Sequence, residues 1–85
     1  MELRECTIDF YYPAGDDICI SYWEVQLVNY KRPYSYAKWL FTLIVNNHPY
    51  CSYEAKDDNE LLMLFAKQSI GATKIIIKYN DEQQN

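Results

Sequence analysis

The chain has little glycine, little proline, a single histidine and no long apolar run, and each shortage closes off a class of function. Two glycines and three prolines in 85 residues leave no glycine-rich phosphate loop and no flexible or proline-rich linker. The lone histidine, His48, sits in the run NNHPY. Without a second one there is no histidine pair for a metal, and a cysteine–histidine nucleophile with Cys51 has little support beyond proximity in sequence. The three cysteines, Cys6, Cys19 and Cys51, are odd in number and far apart. Their spacing fits neither a zinc site nor a secreted disulfide framework, so free thiols in a reducing compartment are expected. The longest apolar stretch is interrupted by Thr42 and ends at Asn46, well short of the roughly 20 residues that span a bilayer. Met1 is followed by Glu2, Arg4 and Glu5 instead of a basic start and an apolar run, so no signal peptide is expected and the reading is cytoplasmic.

What is present is the balance of a folding chain: 49% hydrophobic and 24% charged residues, far from the polar composition of disordered segments. One small α+β domain is expected over residues 1–80, followed by a polar tail at 81–85. Aromatics make up 16% of the chain, and nine of the fourteen are tyrosine. Tyrosine joins a large apolar body to a polar tip, which suits strands, half-buried surfaces and interfaces.

The pattern predicts two hairpins, a helix and a last strand. ECTIDFYY alternates, with Cys6, Ile8, Phe10 and Tyr12 on one face and Glu5, Thr7, Asp9 and Tyr11 on the other. PAGDD is turn chemistry, and ICISYWEVQLV alternates again. A four-residue turn at 13–16 would set Phe10 opposite Cys19 and Cys6 opposite Trp23, a register that keeps the apolar set on one side. KWLFTLIV, apolar on both sides, predicts an interior strand, NNHP a turn and YCSYEA the returning strand. In KDDNELLMLFAKQSIGATK, Asp57 is placed to cap a helix with Glu60 reaching back, and Gly71 to stop it. Leu61, Leu62, Leu64 and Phe65 would be its buried stripe, with Met63 facing out. TKIIIKY is the final strand. The expected fold is therefore β-β-β-β-α-β, a mixed but mostly antiparallel five-stranded sheet with one helix packed on one face.

No stretch carries a catalytic, metal or cofactor signature. The acidic pairs Asp16–Asp17, Asp57–Asp58 and Asp81–Glu82 are the nearest approach to one. Acids in the first turn of a helix are, however, what its dipole favours, and an acidic pair in a turn is ordinary. A non-enzymatic protein without cofactor or metal is expected.

The charge is polarised. Residues 1–30 carry −5, residues 31–53 carry +3 with no acid at all, and residues 54–85 carry −2, within a net charge of −4. The basic segment coincides with an aromatic one at 29–39, where Tyr30, Tyr34 and Tyr36 interleave with Lys31, Arg32 and Lys38. That pairing suits stacked bases and phosphates, but three bases on an acidic protein imply at most weak nucleic-acid binding. Glu5, Asp9 and Glu24 would share one sheet face, with Asp16 and Asp17 at its tip. One helix covers one face of a sheet, so the other face should display Tyr11, Ile18, Ile20, Tyr22 and Ile76 inside a charged rim, the anatomy of an interface. The expected function is a small acidic protein-binding module. By size and charge alone it resembles phage-encoded inhibitors such as anti-CRISPR proteins, which points to an inhibitor of a nucleic-acid-handling host enzyme encoded by a phage or mobile element. The alternatives are a homodimeric scaffolding protein and a weak RNA- or DNA-binding domain using the loop 29–39. No membrane association is expected.

Overall fold

A computed structural model describes residues 3–13, 22–30 and 36–80. Five strands, β1 (Cys6–Tyr11), β2 (Tyr22–Asn29), β3 (Trp39–Val45), β4 (His48–Ala55) and β5 (Lys74–Tyr79), and one helix, α1 (Asp58–Ser69), follow one another as β-β-β-β-α-β. The sheet order is β4-β3-β2-β1-β5. The α+β class and the element order are those the sequence predicts. All four neighbouring pairs are antiparallel, so the sheet contains no parallel pairing. The reason lies in the crossover: α1 leaves the edge strand β4 and delivers the chain to the opposite edge, where β5 pairs with β1 instead of with β4.

The first hairpin differs from expectation in register. Cys6 lies opposite Leu27, Ile8 opposite Val25 and Phe10 opposite Trp23, four residues away from the tight-turn register. An even shift keeps every side chain on its face, so alternation cannot distinguish the two. Packing can. In the tight register Val25 and Leu27 would run past the end of β1, whereas here both are buried against Ile8 and Cys6. Residues 14–21, which include the expected start of the second strand, lie outside the described residues.

The second hairpin turns on two residues only. Asn46 and Asn47 both have positive φ, 53° and 67°, the left-handed pair that a two-residue hairpin needs and asparagine tolerates. His48 and Pro49 therefore open β4 instead of belonging to the turn. Proline is accepted there because β4 is an edge strand, and a register irregularity at Leu43/Ile44 falls beside it.

The helix starts and stops on the expected signals. The Asp57 carboxylate accepts the Glu60 backbone N–H at 2.9 Å, while Glu60 reaches back to the Lys56 N–H at 2.9 Å. That closes a capping box one residue wider than the usual form. Gly71, at φ 81°, supplies the left-handed residue just past the end. Four contacts fix the helix diagonally on the sheet. Trp39 Nε1, at the start of β3, donates to the Asp58 carboxylate at 2.9 Å. Leu61 is buried in the core, and Phe65 meets Phe10 with ring centroids 5.6 Å apart. At the far end the Tyr12 hydroxyl donates to the Gln68 carbonyl at 2.6 Å.

The core between helix and sheet is Cys6, Ile8, Phe10, Val25, Leu27, Trp39, Phe41, Leu43, Ala55 and Leu61. Leu62, expected in the buried stripe, is exposed. It follows Leu61 by about 100° around the helix, and so turns off the line on which Leu61 meets the sheet. Leu61→Ala should lower stability by about 2–5 kcal/mol. Leu62→Ser and Met63→Ser should each stay within about 1 kcal/mol of wild type in chemical denaturation.

Asp58 is tied by Trp39 and by Lys38, whose ammonium stands 2.9 Å away. The hydrogen bond from Trp39, then that from Lys38, hold its carboxyl below the ordinary aspartate value of 3.8. A carboxylate depressed in the folded state stabilises fully above its unfolded pKa, and the contribution disappears as pH falls through the folded value. The melting temperature of Asp58→Asn should accordingly lie below wild type at neutral pH. The gap should close below pH about 4, and a gap independent of pH would contradict this assignment.

Candidate protein-binding surface

The sheet face turned away from α1 is built in rows across the strands, and only part of it is apolar. One row runs Pro49, Ile44, Glu24, Asp9, Ile76; the row beside it runs Ser52, Thr42, Gln26, Thr7, Lys78. Tyr22 and Tyr11 face each other at one end of the sheet, with ring centroids 5.0 Å apart, and the Lys74 ammonium lies 5.4 Å from the Tyr11 ring. Of the five residues expected to form an apolar centre, Tyr11, Tyr22 and Ile76 do share this face. Ile18 and Ile20 lie outside the described residues. The centre itself is polar, because threonine, serine and glutamine alternate with the core-facing residues of β1 to β4.

Asp9 departs furthest from its expected role as displayed acid. It is 3% exposed. Its carboxylate accepts from the Tyr22 hydroxyl at 2.8 Å and pairs with Lys78 Nζ at 2.9 Å. β5 sets this up, since Lys78 stands two residues along, on the same face, from Ile76, the residue opposite Asp9. Burial, then the hydrogen bond to Asp9, push the Tyr22 hydroxyl pKa well up, and the same carboxylate raises that of Lys78. Tyrosine and lysine both stay protonated at neutral pH, so the cluster is a fixed three-membered clamp with no proton to transfer. Glu5 is spent locally as well, accepting the Asn29 backbone N–H at 2.9 Å. Glu24 is half-buried, and Asp16 and Asp17 lie outside the described residues. The described part of the first hairpin therefore presents no array of free carboxylates.

The basic–aromatic segment is also partly engaged. Lys38 pairs with Asp58. The Tyr30 N–H donates to the Lys38 carbonyl at 2.7 Å, and Tyr36 is 95% exposed. Lys31, Arg32 and Tyr34 lie outside the described residues. Among the described residues this segment offers one exposed tyrosine and a lysine already paired.

The largest exposed aromatic surface lies at β4, which the sequence reading did not single out. Six of its eight residues are exposed, with Tyr50 at 70% and Tyr53 at 47%. The Tyr50 ring meets Trp23 edge-on, centroids 5.6 Å apart. Tyr53 and Cys51 stand two residues apart on the side facing α1, where the hydrogen bond to Cys51 raises the tyrosine pKa. The diagonal course of α1 explains the exposure. The helix begins beside Ala55 and Trp39 and ends beside Tyr12, so the β2–β3–β4 corner around Trp23 and Tyr50 lies off its path. One signal in the sequence could have pointed here: YCSYEA has no large aliphatic side chain, and its only bulky residues are two tyrosines.

Among the described residues no group of three or more histidine, cysteine, aspartate or glutamate side chains is placed to hold a metal ion, and no helix is long and apolar enough to cross a membrane. Cys6, whose thiol pKa burial pushes up, and Cys51 are free thiols; Cys19 lies outside the described residues.

The clamp on Asp9 is testable. Tyr22→Phe leaves a buried carboxylate short of one partner and should cost about 1–3 kcal/mol in denaturant unfolding. Lys78→Met removes the compensating charge and should cost more than Tyr22→Phe. The reverse order would mean that the hydroxyl, not the ammonium, holds Asp9 in place.

No protein-family model, curated protein or solved structure matches the chain.

Proposed function

We propose that the protein is a small, acidic, non-enzymatic protein-binding module that captures an extended segment of its partner along β4. The observation that carries this reading is the edge strand itself, eight residues long, exposed at six of them and bearing Tyr50 and Tyr53. An edge strand presents a row of backbone donors and acceptors, and an incoming strand satisfies them while its side chains read the pockets beside them. Tyrosine contributes large contact area at low entropic cost. Supporting this choice of edge, the opposite margin is blunted: β5 carries Lys74 and Lys78, the kind of charge that discourages strand addition.

Selection from a displayed library of random peptides tests the reading directly. The wild-type chain should enrich peptides that alternate aromatic or β-branched residues with polar ones. The Tyr50→Lys/Tyr53→Lys double variant, with unchanged circular dichroism, should lose most of their binding, about tenfold or more in affinity. Enriched peptides that bind both proteins equally, or no enrichment by the wild type, would overturn it.

A further inference from the structure

We infer that the segment which adds to β4 is β4 of a second copy, giving a two-fold dimer with a continuous ten-stranded antiparallel sheet. The inference rests on the reading above, that β4 is an open edge, and goes further by naming its occupant.

Three observations select a second copy. The first is charge. The whole molecule carries −4, so two copies repel wherever their acidic parts meet. The margin formed by β3 and β4 is the exception: WLFTLIV and HPYCSYEA contain one formal charge between them, Glu54. Two copies therefore approach with least repulsion along this margin.

The second is symmetry. An antiparallel strand paired with its own copy closes on a two-fold axis and stops at the dimer. With the axis at Ser52, the two Ser52 residues face each other at the centre and the two Glu54 residues fall on opposite sides of it. Cys51 then lies opposite Tyr53 of the copy, on the side that carries α1. Pro49 has no N–H to donate, so pairing is concentrated on the residues after it, where both tyrosines lie.

The third is the contrast with the other edge. An antiparallel self-pairing of β5 centred on Ile76 would set Lys74 against Lys78 of the copy, like charges directly opposite, which is destabilising. The fold thus leaves one edge open to its own copy and guards the other.

Strand pairing with two tyrosines a side is a small interface, at the low end for specific association. The dimer should therefore form with concentration across the micromolar range.

Sedimentation velocity over that range, with amide hydrogen exchange at its two ends, tests the wild-type chain. The expected result is a concentration-dependent monomer–dimer equilibrium in which β4 amides gain protection and β5 amides do not. Ser52→Lys and Ser52→Glu place like charges at the two-fold axis and should each weaken the dimer by about tenfold or more. Their equimolar mixture should restore it, a result that two misfolded variants could not give. A wild type that stays monomeric, protection gained away from β4, variants that dimerise like wild type, or a mixture no tighter than its components would each overturn the dimer. A monomeric wild type whose β4 still captures displayed peptides would sink the dimer while leaving the open-edge reading intact.

Discussion

The structure depends on one constraint: a single helix of twelve residues must both cover a five-stranded sheet and carry the chain from one of its edges to the other. A helix of that length reaches about 18 Å, close to the width of a five-stranded sheet, so it has to lie across the strands on a diagonal. Anchors at both ends hold that line. Trp39 and Lys38 bind Asp58 at the start, and Tyr12 and Gln68 join at the finish. Between them Leu61 and Phe65 reach into the core, Phe65 against Phe10. A helix end held by side chains from the sheet has little freedom to swing, so the diagonal is fixed as part of the fold.

From the diagonal follows the uneven exposure of the sheet. Between helix and sheet lie the largest fully buried side chains, Phe10, Val25 and Phe41 from the strands and Leu61 from the helix. The corner at Trp23 and Tyr50 lies beside the helix and stays partly open. On the far face, where no helix lies, residues are polar along the middle row, and the buried acid is neutralised. Asp9 is the sharpest case: buried in the sheet, it is acceptable only because Tyr22 and Lys78 reach it from the two flanking strands. A buried carboxylate with one partner missing is costly, so this face is built to stay closed chemically. β4 is built otherwise, with its polar edge and two tyrosines left in solvent. The proposed binding role rests on that contrast between a satisfied face and an open edge.

Much of the fold was legible because it is encoded locally. Hydrophobic period marked the helix and the strands other than β3, which its β-branched apolar run and the turn after it marked; Asp57 with Glu60 marked the helix start, and Gly71 marked its end. Which residues of the first hairpin face the core also followed from alternation. The register did not, because pairing shifts by an even number of residues leave every side chain on the same face. Nor did the burial of Asp9, whose partners come from β2 and β5, 13 and 69 positions further along the chain. The candidate surface was less legible still. Tyr11, Tyr22 and Ile76 were rightly placed on one face, but the exposure of Tyr50 and Tyr53 depends on which strand is left at the edge.

By itself, then, the amino-acid sequence determined what each segment becomes and which side of it turns inward, since both depend on neighbours within a few residues. It also determined the charge map, with its acid-free stretch from Val25 to Tyr53. Tertiary structure alone decided the order of strands, because the helix could have returned the chain beside β4 but carries it to β1. That choice places lysine-bearing β5 at one margin and nearly uncharged β4 at the other. Strand order is a sum of long-range contacts weighed against one another, and no short window of sequence contains it.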